Sequence, residues 1–181
     1  MDEATDRIDI ELLRQFIDIN PLDGTMRWSF RDRKHFRSDE SFKSWNTRYA
    51  NAVTFKSTDG RGYLRASIKD KDYKAHLVAW ALYYGKWPLC EVDHINGDKK
   101  DNSLNNLRSA TSSQNKMNVH PRNGCSSQYK GVCWNVKRKK WESRIAFNGK
   151  TLHLGYFVDE IEAANRYTDA SKLYHGEYAR C

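Results

Sequence analysis

The alternation of apolar and polar positions divides the chain into two blocks of predicted elements joined by a polar stretch. The first block opens with apolar residues at helical spacing, which predict an amphipathic helix that ends near Pro21. These residues are Ile8, Leu12, Phe16 and Ile19. The pair Asp23-Gly24 then predicts a turn into a short strand over residues 26–28. We expect the helix to pack against the rest of this block.

A strand and a longer apolar helix follow in the first block. Residues 63–68 alternate between apolar and polar types and predict a strand. Residues 76–84 have the length and apolar density of a buried helix, which Gly85 ends. His76 stands at the junction of strand and helix, where a structural role is favoured over a role in a site.

The second block predicts three strands backed by one helix. The strands are residues 129–136, 140–147 and 151–157. Asn148-Gly149 is a strong hairpin signal between the last two. A helix then begins at Asp159 and buries one stripe of small and aromatic residues. The stripe consists of Ala163, Tyr167, Ala170 and Tyr174. Before this block, residues 118–128 are rich in Pro, Gly, Ser and Asn and predict a linker.

Residues 91–118 combine a strand, a loop, a second strand and a short helix. The first strand ends at Asp93 and His94, and the following Asp and Asn residues favour a loop because their side chains make their own turns. The loop carries Asn106, and the short helix carries Asn115. We therefore expect these four side chains to face one cleft.

These residue types suit the hydrolysis of a phosphodiester. Asp93 and Asn115 offer a partial oxygen shell, which substrate oxygens and water complete around a hard cation such as Mg²⁺. A neutral imidazole at His94 is the natural base for deprotonating water near neutral pH. An oxygen near Asn106 would hold one ring nitrogen of His94 as a donor. The alternative is a surface loop rich in Asp and Asn with an incidental histidine.

Composition favours a polyanionic partner. The chain has 181 residues, a net charge of +8 and 13% aromatic residues, and phosphates attract Lys and Arg while rings add stacking. Residues 27–74 hold thirteen Lys and Arg against six acids, with aromatic rings between them that serve either as core or as DNA contacts. A hydrophobic content of 39% favours two or three thin modules over one large core.

Several classes of protein do not fit this sequence. The four cysteines form no CxxC pair, which argues against a structural zinc site and against a disulfide framework, and favours a reduced setting. No apolar run approaches the roughly 20 residues of a membrane span, and the N-terminus has no secretory core segment. We expect a soluble protein.

The segment DHINGDKKDNSLNNLR with its later Asn resembles the HNH endonucleases of the ββα-metal class, and within them the phage and homing type. The GYL strand, the AHLVAW helix and GKWP extend the likeness over most of residues 20–118. This resemblance implies that Asp93 and Asn115 hold one divalent metal, with Mg²⁺ favoured over Mn²⁺. It also implies that His94 is the general base and that Asn106 orients it. The third motif position is Asn rather than His, a variant common in this branch.

The predicted sheet of the second block has one basic face. Residues 122–156 hold eight Lys and Arg against one acid. Period-two alternation directs every second residue toward the helix, namely Trp141, Ser143, Ile145, Leu152 and Leu154. The open face carries Lys140, Arg144, Thr151 and His153. A basic, open sheet face suits a DNA major groove.

The sequences YKGVCW, KWESRI, HLGYF, EAANRY and HGEYA resemble the AP2 domain, the DNA-binding unit of plant transcription factors and of phage-type endonucleases. The resemblance implies DNA contacts by Lys130, Cys133, Lys140, Arg144 and His153. We assign the hairpin residues Lys137 and Arg138 to DNA as well, with a solvated hairpin or a nuclear-import signal as alternatives. Cys133 and His153 replace the usual Arg and Trp of the plant factors, so the plant target sequence should not be transferred.

The sequence thus predicts an α+β protein in which an N-terminal HNH ββα-metal module is linked to a three-stranded antiparallel AP2-like sheet packed on one helix. The boundaries are residues 1–117, with a catalytic core at about 88–117, then 118–128 as linker and 129–181 as AP2-like domain. The predicted activity is metal-dependent hydrolysis of double-stranded DNA. The alternatives are a DNA-binding regulator with a non-catalytic HNH scaffold and an RNA-directed or structural nucleic-acid binder. We expect no obligate protein partner and a cytoplasmic location, in the bacterial host if the gene is phage-encoded.

Overall fold

The computed structural model describes residues 7–118 and 126–179. They form two compact units, one that runs to Ser109 and one that begins at Ala110. The fold is mixed α+β, with several small sheets and five α-helices among the described residues. None of the helices in this part of the chain has the length and apolar content needed to cross a bilayer. Most of the predicted linker lies outside the described residues.

The division between the units lies earlier than the boundary predicted from the sequence. The helix α4 (Ser112–Met117) belongs to the second unit, where it packs against a 3₁₀ turn over Gly176–Tyr178. The ammonium of Lys130 also donates a hydrogen bond to the Met117 carbonyl. These contacts tie α4 to residues that follow it in the chain.

The first unit holds three helices among its described residues. They are α1 (Ile10–Phe16), α2 (Asp39–Tyr49) and α3 (Ala75–Tyr84). Its strands are β1 (Ile17–Ile19), β2 (Met26–Trp28), β3 (Ser57–Thr58), β4 (Leu64–Ile68), β5 (Lys71–Lys74), β6 (Glu91–His94) and β7 (Leu107–Ala110). β1 pairs with β2, β4 lies between β3 and β5, and β6 pairs with β7. The strands predicted from the sequence at β4, β6 and β7 are therefore confirmed.

The N-terminal helix ends earlier than its apolar spacing predicts. It stops at Phe16, and the next three residues form β1 instead of a final helical turn. Ile17 and Ile19 are β-branched and suit a strand, where they lie opposite Trp28 and Met26 of β2. Tertiary pairing therefore overrides the helical spacing in this segment.

The aromatic residues of the basic region form packed clusters around Arg31. Its guanidinium lies 3.9 Å from the centre of the Trp45 ring and 4.4 Å from that of Phe16. The rings of Trp28 and Trp45 meet edge to face at 6.0 Å. Burial lowers the pKa of Arg31 to about 10. Trp28 and Phe55 thus take the core role that the sequence left open for the rings of this region, whereas Phe30 is 63% exposed.

The second unit has the predicted architecture of three strands backed by one helix. The elements are β8 (Val132–Asn135), β9 (Lys140–Phe147), β10 (Lys150–Phe157) and α5 (Glu160–His175). The strands are antiparallel in the order β10, β9, β8. α5 buries Ala163, Tyr167 and Ala170, and the latter two pack on Ile145 of β9. Asp159 caps this helix by accepting a hydrogen bond from the Glu162 amide at 2.9 Å.

Candidate active site

The strand β6 ends in two adjacent buried polar residues, Asp93 and His94. The chain turns directly after them, because Gly97 adopts a positive φ of 71° and its amide donates to the His94 carbonyl at 2.8 Å. The Ile95 amide donates to the Asn106 carbonyl at 2.8 Å, which joins this end of β6 to the start of β7. The predicted end of the strand is confirmed.

The loop after the turn is built from side chains that bond to their own backbone. Asn96 accepts from the Asp98 amide, Asp98 from the Lys100 amide, and Asp101 from the Ser103 amide. This is the local bonding that the Asp and Asn content predicts. A 3₁₀ turn over Leu104–Asn106, which the sequence did not indicate, closes the loop before β7.

Asn102 is the side chain that contacts the His94 ring. Its Oδ1 lies 3.3 Å from His94 Nε2, while its Nδ2 donates to the Lys100 carbonyl at 3.0 Å. The second bond fixes the orientation of the amide, so the oxygen faces the ring and Nε2 carries the hydrogen. In the neutral imidazole, Nδ1 is then the nitrogen with the lone pair.

Asn106 supports the loop instead of contacting His94 directly. Its Oδ1 accepts from the Asn96 amide at 2.9 Å, and its Nδ2 donates to the Asp101 carbonyl at 2.8 Å. The amide of Asn106 is engaged by the loop backbone, and its role in orienting the His94 ring stays a prediction. The loop contains several asparagines, and spacing alone does not distinguish which of them reaches the ring.

Asp93 forms a buried ion pair that the sequence analysis missed. Its Oδ2 accepts hydrogen bonds from Arg108 Nε at 2.9 Å and from Nη2 at 2.7 Å. The two side chains are 6% and 13% exposed. A carboxylate buried to this degree requires a cation or several donors, and Arg108 supplies both from the paired strand β7. The contact could have been predicted from the pairing of β6 with β7, because Asp93 and Arg108 lie on these two strands.

Two aromatic rings enclose His94. The His76 ring at the start of α3 lies 5.2 Å from that of His94 and meets it edge to face, and the Tyr63 ring lies 5.9 Å away. His76 is buried, and its Nδ1 has no hydrogen-bond partner among the described residues. Burial, together with the nearby His94, lowers the pKa of His76 to about 3, so this ring is neutral at physiological pH.

Burial also sets the protonation of His94. The pKa of His94 is lowered mainly by burial, which outweighs the opposing effects of the Asn102 hydrogen bond and of Asp93. The imidazole is therefore neutral at pH 7, as a general base must be. The geometry thus places a neutral imidazole beside a buried carboxylate.

The loop that carries Asn102 is held from two sides within the first unit. Gly24 adopts a positive φ of 70°, and a Cβ there would lie 2.3 Å from the backbone carbon of Asn102. The Leu104 amide donates to the Pro21 carbonyl at 3.0 Å, and the Tyr83 hydroxyl donates to the Asn102 carbonyl at 3.0 Å. The turn between β1 and β2 and the helix α3 thus fix the position of this loop.

The donors at the end of β6 fit a hard cation held by few protein groups. Asp93 supplies carboxylate oxygen, and oxygen ligands completed by water and substrate are typical of Mg²⁺. Within residues 7–118 and 126–179, no cluster of three His, Cys, Asp or Glu side chains is placed to hold a metal. Asn115 lies on α4 in the second unit, and its role as a ligand stays a prediction.

The residues predicted to bind DNA occupy the open face and the first hairpin of the second unit. Lys137, Arg138, Lys140, Arg144 and His153 are exposed. Arg144 donates to Cys133 Sγ at 3.2 Å, and Arg138 lies 4.6 Å from the centre of the Tyr156 ring. Lys130 is held against the Met117 carbonyl. The inward residues Ser143 and Ile145 are buried, so the predicted division between the two faces of the sheet is confirmed.

Comparison with known proteins locates a nuclease family in this region. The family model described as HNH endonuclease matches residues 73–117, which lie in the middle of the chain rather than at its start. The match includes α3, β6, the loop and β7, and therefore His76, Asp93, His94, Asn102, Asn106 and Arg108, whereas Tyr63 and the turn at Gly24 lie before it. No solved structure matches the chain significantly.

Two curated proteins are similar to the chain. An AP2-like ethylene-responsive transcription factor of Arabidopsis thaliana is 25% identical over 161 residues, which cover 83% of this chain and 42% of that factor. The chain thus spans less than half of the plant protein. Protein 3.8 of Escherichia phage T7 is 30% identical over 121 residues, which cover 65% of this chain and 98% of the phage protein. The chain therefore belongs to the family of phage T7 Protein 3.8, and it contains an HNH endonuclease domain at residues 73–117.

Proposed function

We propose that the protein is a metal-dependent endonuclease that hydrolyses a phosphodiester of double-stranded DNA. The observation that carries this proposal is the neutral His94, held by Asn102 with Nε2 protonated, beside the buried carboxylate of Asp93. A base of defined tautomer next to an acid that suits a hard cation is the minimum set for attack by water on a phosphodiester.

Each residue has a distinct role in this reaction. His94 Nδ1 accepts a proton from the attacking water, while Asn102 fixes the ring. Asp93 and, by the family pattern, Asn115 would hold the divalent metal. When bound, the metal supplies positive charge for the phosphoryl and leaving oxygens. Asn106 keeps the loop closed, so it acts on His94 only through the backbone that carries Asn102.

The direct test is nicking of supercoiled plasmid DNA. We expect the wild-type protein to convert supercoiled plasmid to the nicked or linear form with Mg²⁺ or Mn²⁺, and to lose this activity when EDTA removes the metal, because charge on the leaving oxygen is then unopposed. Agarose gels measure the conversion over time. Plasmid that stays supercoiled with every divalent metal would contradict the proposal.

The second unit is proposed to target the nuclease to its site. Its exposed basic sheet face and the similarity to an AP2-like factor support an AP2-like DNA-binding domain. A domain bound to DNA raises the effective concentration of the nuclease domain on the same chain. The relation to a phage protein supports a phage-type, homing-type endonuclease that acts in the cytoplasm of a bacterial host.

Replacing Arg144 with alanine is expected to weaken DNA binding, because its guanidinium lies on the open face of β9. A single lost contact to a base or a phosphate corresponds to about 1–3 kcal/mol in binding free energy. Fluorescence anisotropy with labelled duplex DNA measures the change. The control is Arg166→Ala on α5, an exposed arginine on the element behind the sheet. Equal affinities of the two variants would exclude Arg144 from the interface.

One observation favours a second function, a DNA-binding regulator with a non-catalytic HNH scaffold. The carboxylate of Asp93 accepts two hydrogen bonds from Arg108 on a single oxygen, as a purely structural acid would. The plasmid assay separates the two functions, since a regulator binds DNA without cutting it. A neutral imidazole buried beside this acid is unnecessary for a regulator, and for that reason we place the nuclease first.

A further inference from the structure

The Tyr63 ring lies close to two buried histidines and to two lysine ammonium groups. It contacts His76, with ring centres 4.8 Å apart, and lies 5.9 Å from the His94 ring. The Lys74 and Lys99 ammonium groups approach the same ring, at 4.9 Å and 4.8 Å from its centre. Lys74 ends β5, whereas Lys99 belongs to the loop that carries Asn102. Two separate segments therefore bring positive charge to one ring beside the base.

The turn before β4 holds this arrangement in place. Asp59 Oδ1 accepts hydrogen bonds from the amides of Arg61 and Tyr63, each at 2.9 Å. Lys99 Nζ donates to the Arg61 carbonyl at 2.8 Å, which ties the loop to this turn. The Arg61 carbonyl thus sets the position of the Lys99 ammonium, and an ammonium with a fixed position suits a ligand of fixed geometry.

Asp59 compensates only part of the charge of the two ammonium groups at the ring. Lys74 Nζ and Asp59 Oδ2 are 3.9 Å apart, which is too long for a hydrogen bond. Asp59 is the one acid in contact with the two lysines among the residues that the structure describes. Each ammonium has three donors, and Lys99 directs one of them to a carbonyl. The cluster therefore has both charge and donors to offer to an anion.

We propose that Lys74 and Lys99 bind a backbone phosphate of the DNA strand adjacent to the phosphate that is cut, and that Tyr63 sets the distance between this phosphate and His94. The inference rests on the proposed nuclease function and adds the residues that position the substrate. Lysine is a common point-charge ligand of phosphate, and aromatic contact keeps both ammonium groups close to the Tyr63 ring. Holding a neighbouring phosphate restricts the reacting one to the reach of His94.

The salt dependence of binding tests this phosphate site. The full-length protein, kept free of metal by EDTA so that DNA stays intact, is titrated with labelled duplex DNA at several salt concentrations. Each lost phosphate contact lowers the slope of log affinity against log salt by about 0.9. We expect Lys74→Ala and Lys99→Ala each to lower the slope, and the double variant to lower it by about 0.9, because the two lysines share one phosphate. The matched control is Lys172→Ala, an exposed lysine on α5, which should leave the slope unchanged.

A second comparison separates positioning from folding. Tyr63→Phe keeps the ring and should retain the wild-type slope, whereas Tyr63→Leu removes the ring and should lower it. Circular dichroism verifies that every variant is folded. Unchanged slopes in folded Lys74→Ala and Lys99→Ala proteins would overturn the phosphate site, even if the wild type cuts plasmid. Lowered slopes support the phosphate site, even if the wild type does not cut plasmid. The plasmid assay alone decides the nuclease proposal, so the two proposals can fail independently.

Discussion

Replacing His94 with alanine is expected to lower the rate of DNA nicking by about 10²–10⁴-fold, the contribution of a positioned general base. DNA affinity should change little, because His94 is buried and the basic face of the second unit is untouched. Plasmid nicking with Mg²⁺ measures the rate, and anisotropy with duplex DNA measures the affinity. A variant that still binds but no longer cuts identifies His94 as part of the chemistry.

The Asn102→Ala variant provides the matched control for His94. It leaves the imidazole in place and removes the oxygen that holds Nε2–H, so the loss of rate should be smaller than for His94→Ala. The pH dependence gives an independent check. Since the active form is the neutral ring, the rate should fall only as the pH drops through a pKa below the ordinary 6.5. Nicking by His94→Ala at the wild-type rate would exclude His94 as the base.

Replacing Arg108 with alanine is expected to lower the free energy of unfolding by about 3–5 kcal/mol, the usual cost of removing one partner of a buried ion pair. The Asp93 carboxylate stays in its buried position and loses two charge-assisted hydrogen bonds. Urea denaturation followed by circular dichroism measures the change. Unfolding of the same variant with and without Mg²⁺ tests whether the Asp93 carboxylate needs Arg108 for stability when a metal is present.

Arg65→Ala is the control for this stability measurement. Arg65 pairs with Asp72 at 2.7 Å, but the two side chains are 47% and 60% exposed. An exposed pair of this kind contributes about 0–1 kcal/mol. If Arg108→Ala and Arg65→Ala unfold at the same urea concentration, burial does not strengthen the ion pair between Asp93 and Arg108.

The strand ends and the polar loop could be predicted from the sequence because they depend on interactions between residues close together in the chain. The end of β6 follows from Gly97, and the loop bonds join residues that are two positions apart. The sheet of the second unit was predictable for a similar reason, since period-two alternation and Asn148-Gly149 determine its hairpin and its faces. These features need no information about distant parts of the chain.

The contacts that complete the site depend on how β6 and β7 pair and on how the loop between them folds, and the pattern did not reveal them. Arg108 meets Asp93 only once β7 pairs with β6, and the choice of Asn102 over Asn106 depends on how the loop folds. The helix α2 was missed because its residues have little apolar periodicity, and it depends on a cap at Ser38 and on Trp45 packing against Arg31. The end of α1 was misplaced because pairing with β2 outweighs helical spacing.

The close approach of Gly24 to Asn102 means that the nuclease domain extends beyond its recognisable motif. The turn that carries Gly24 precedes residue 73, where the family match begins, yet it supplies the surface on which the loop with Asn102 rests. A fragment limited to the matched residues would contain His94 and lose the backbone that keeps the Asn102 amide in position. Shortened forms of this protein that keep the site intact therefore have to begin upstream of Pro21.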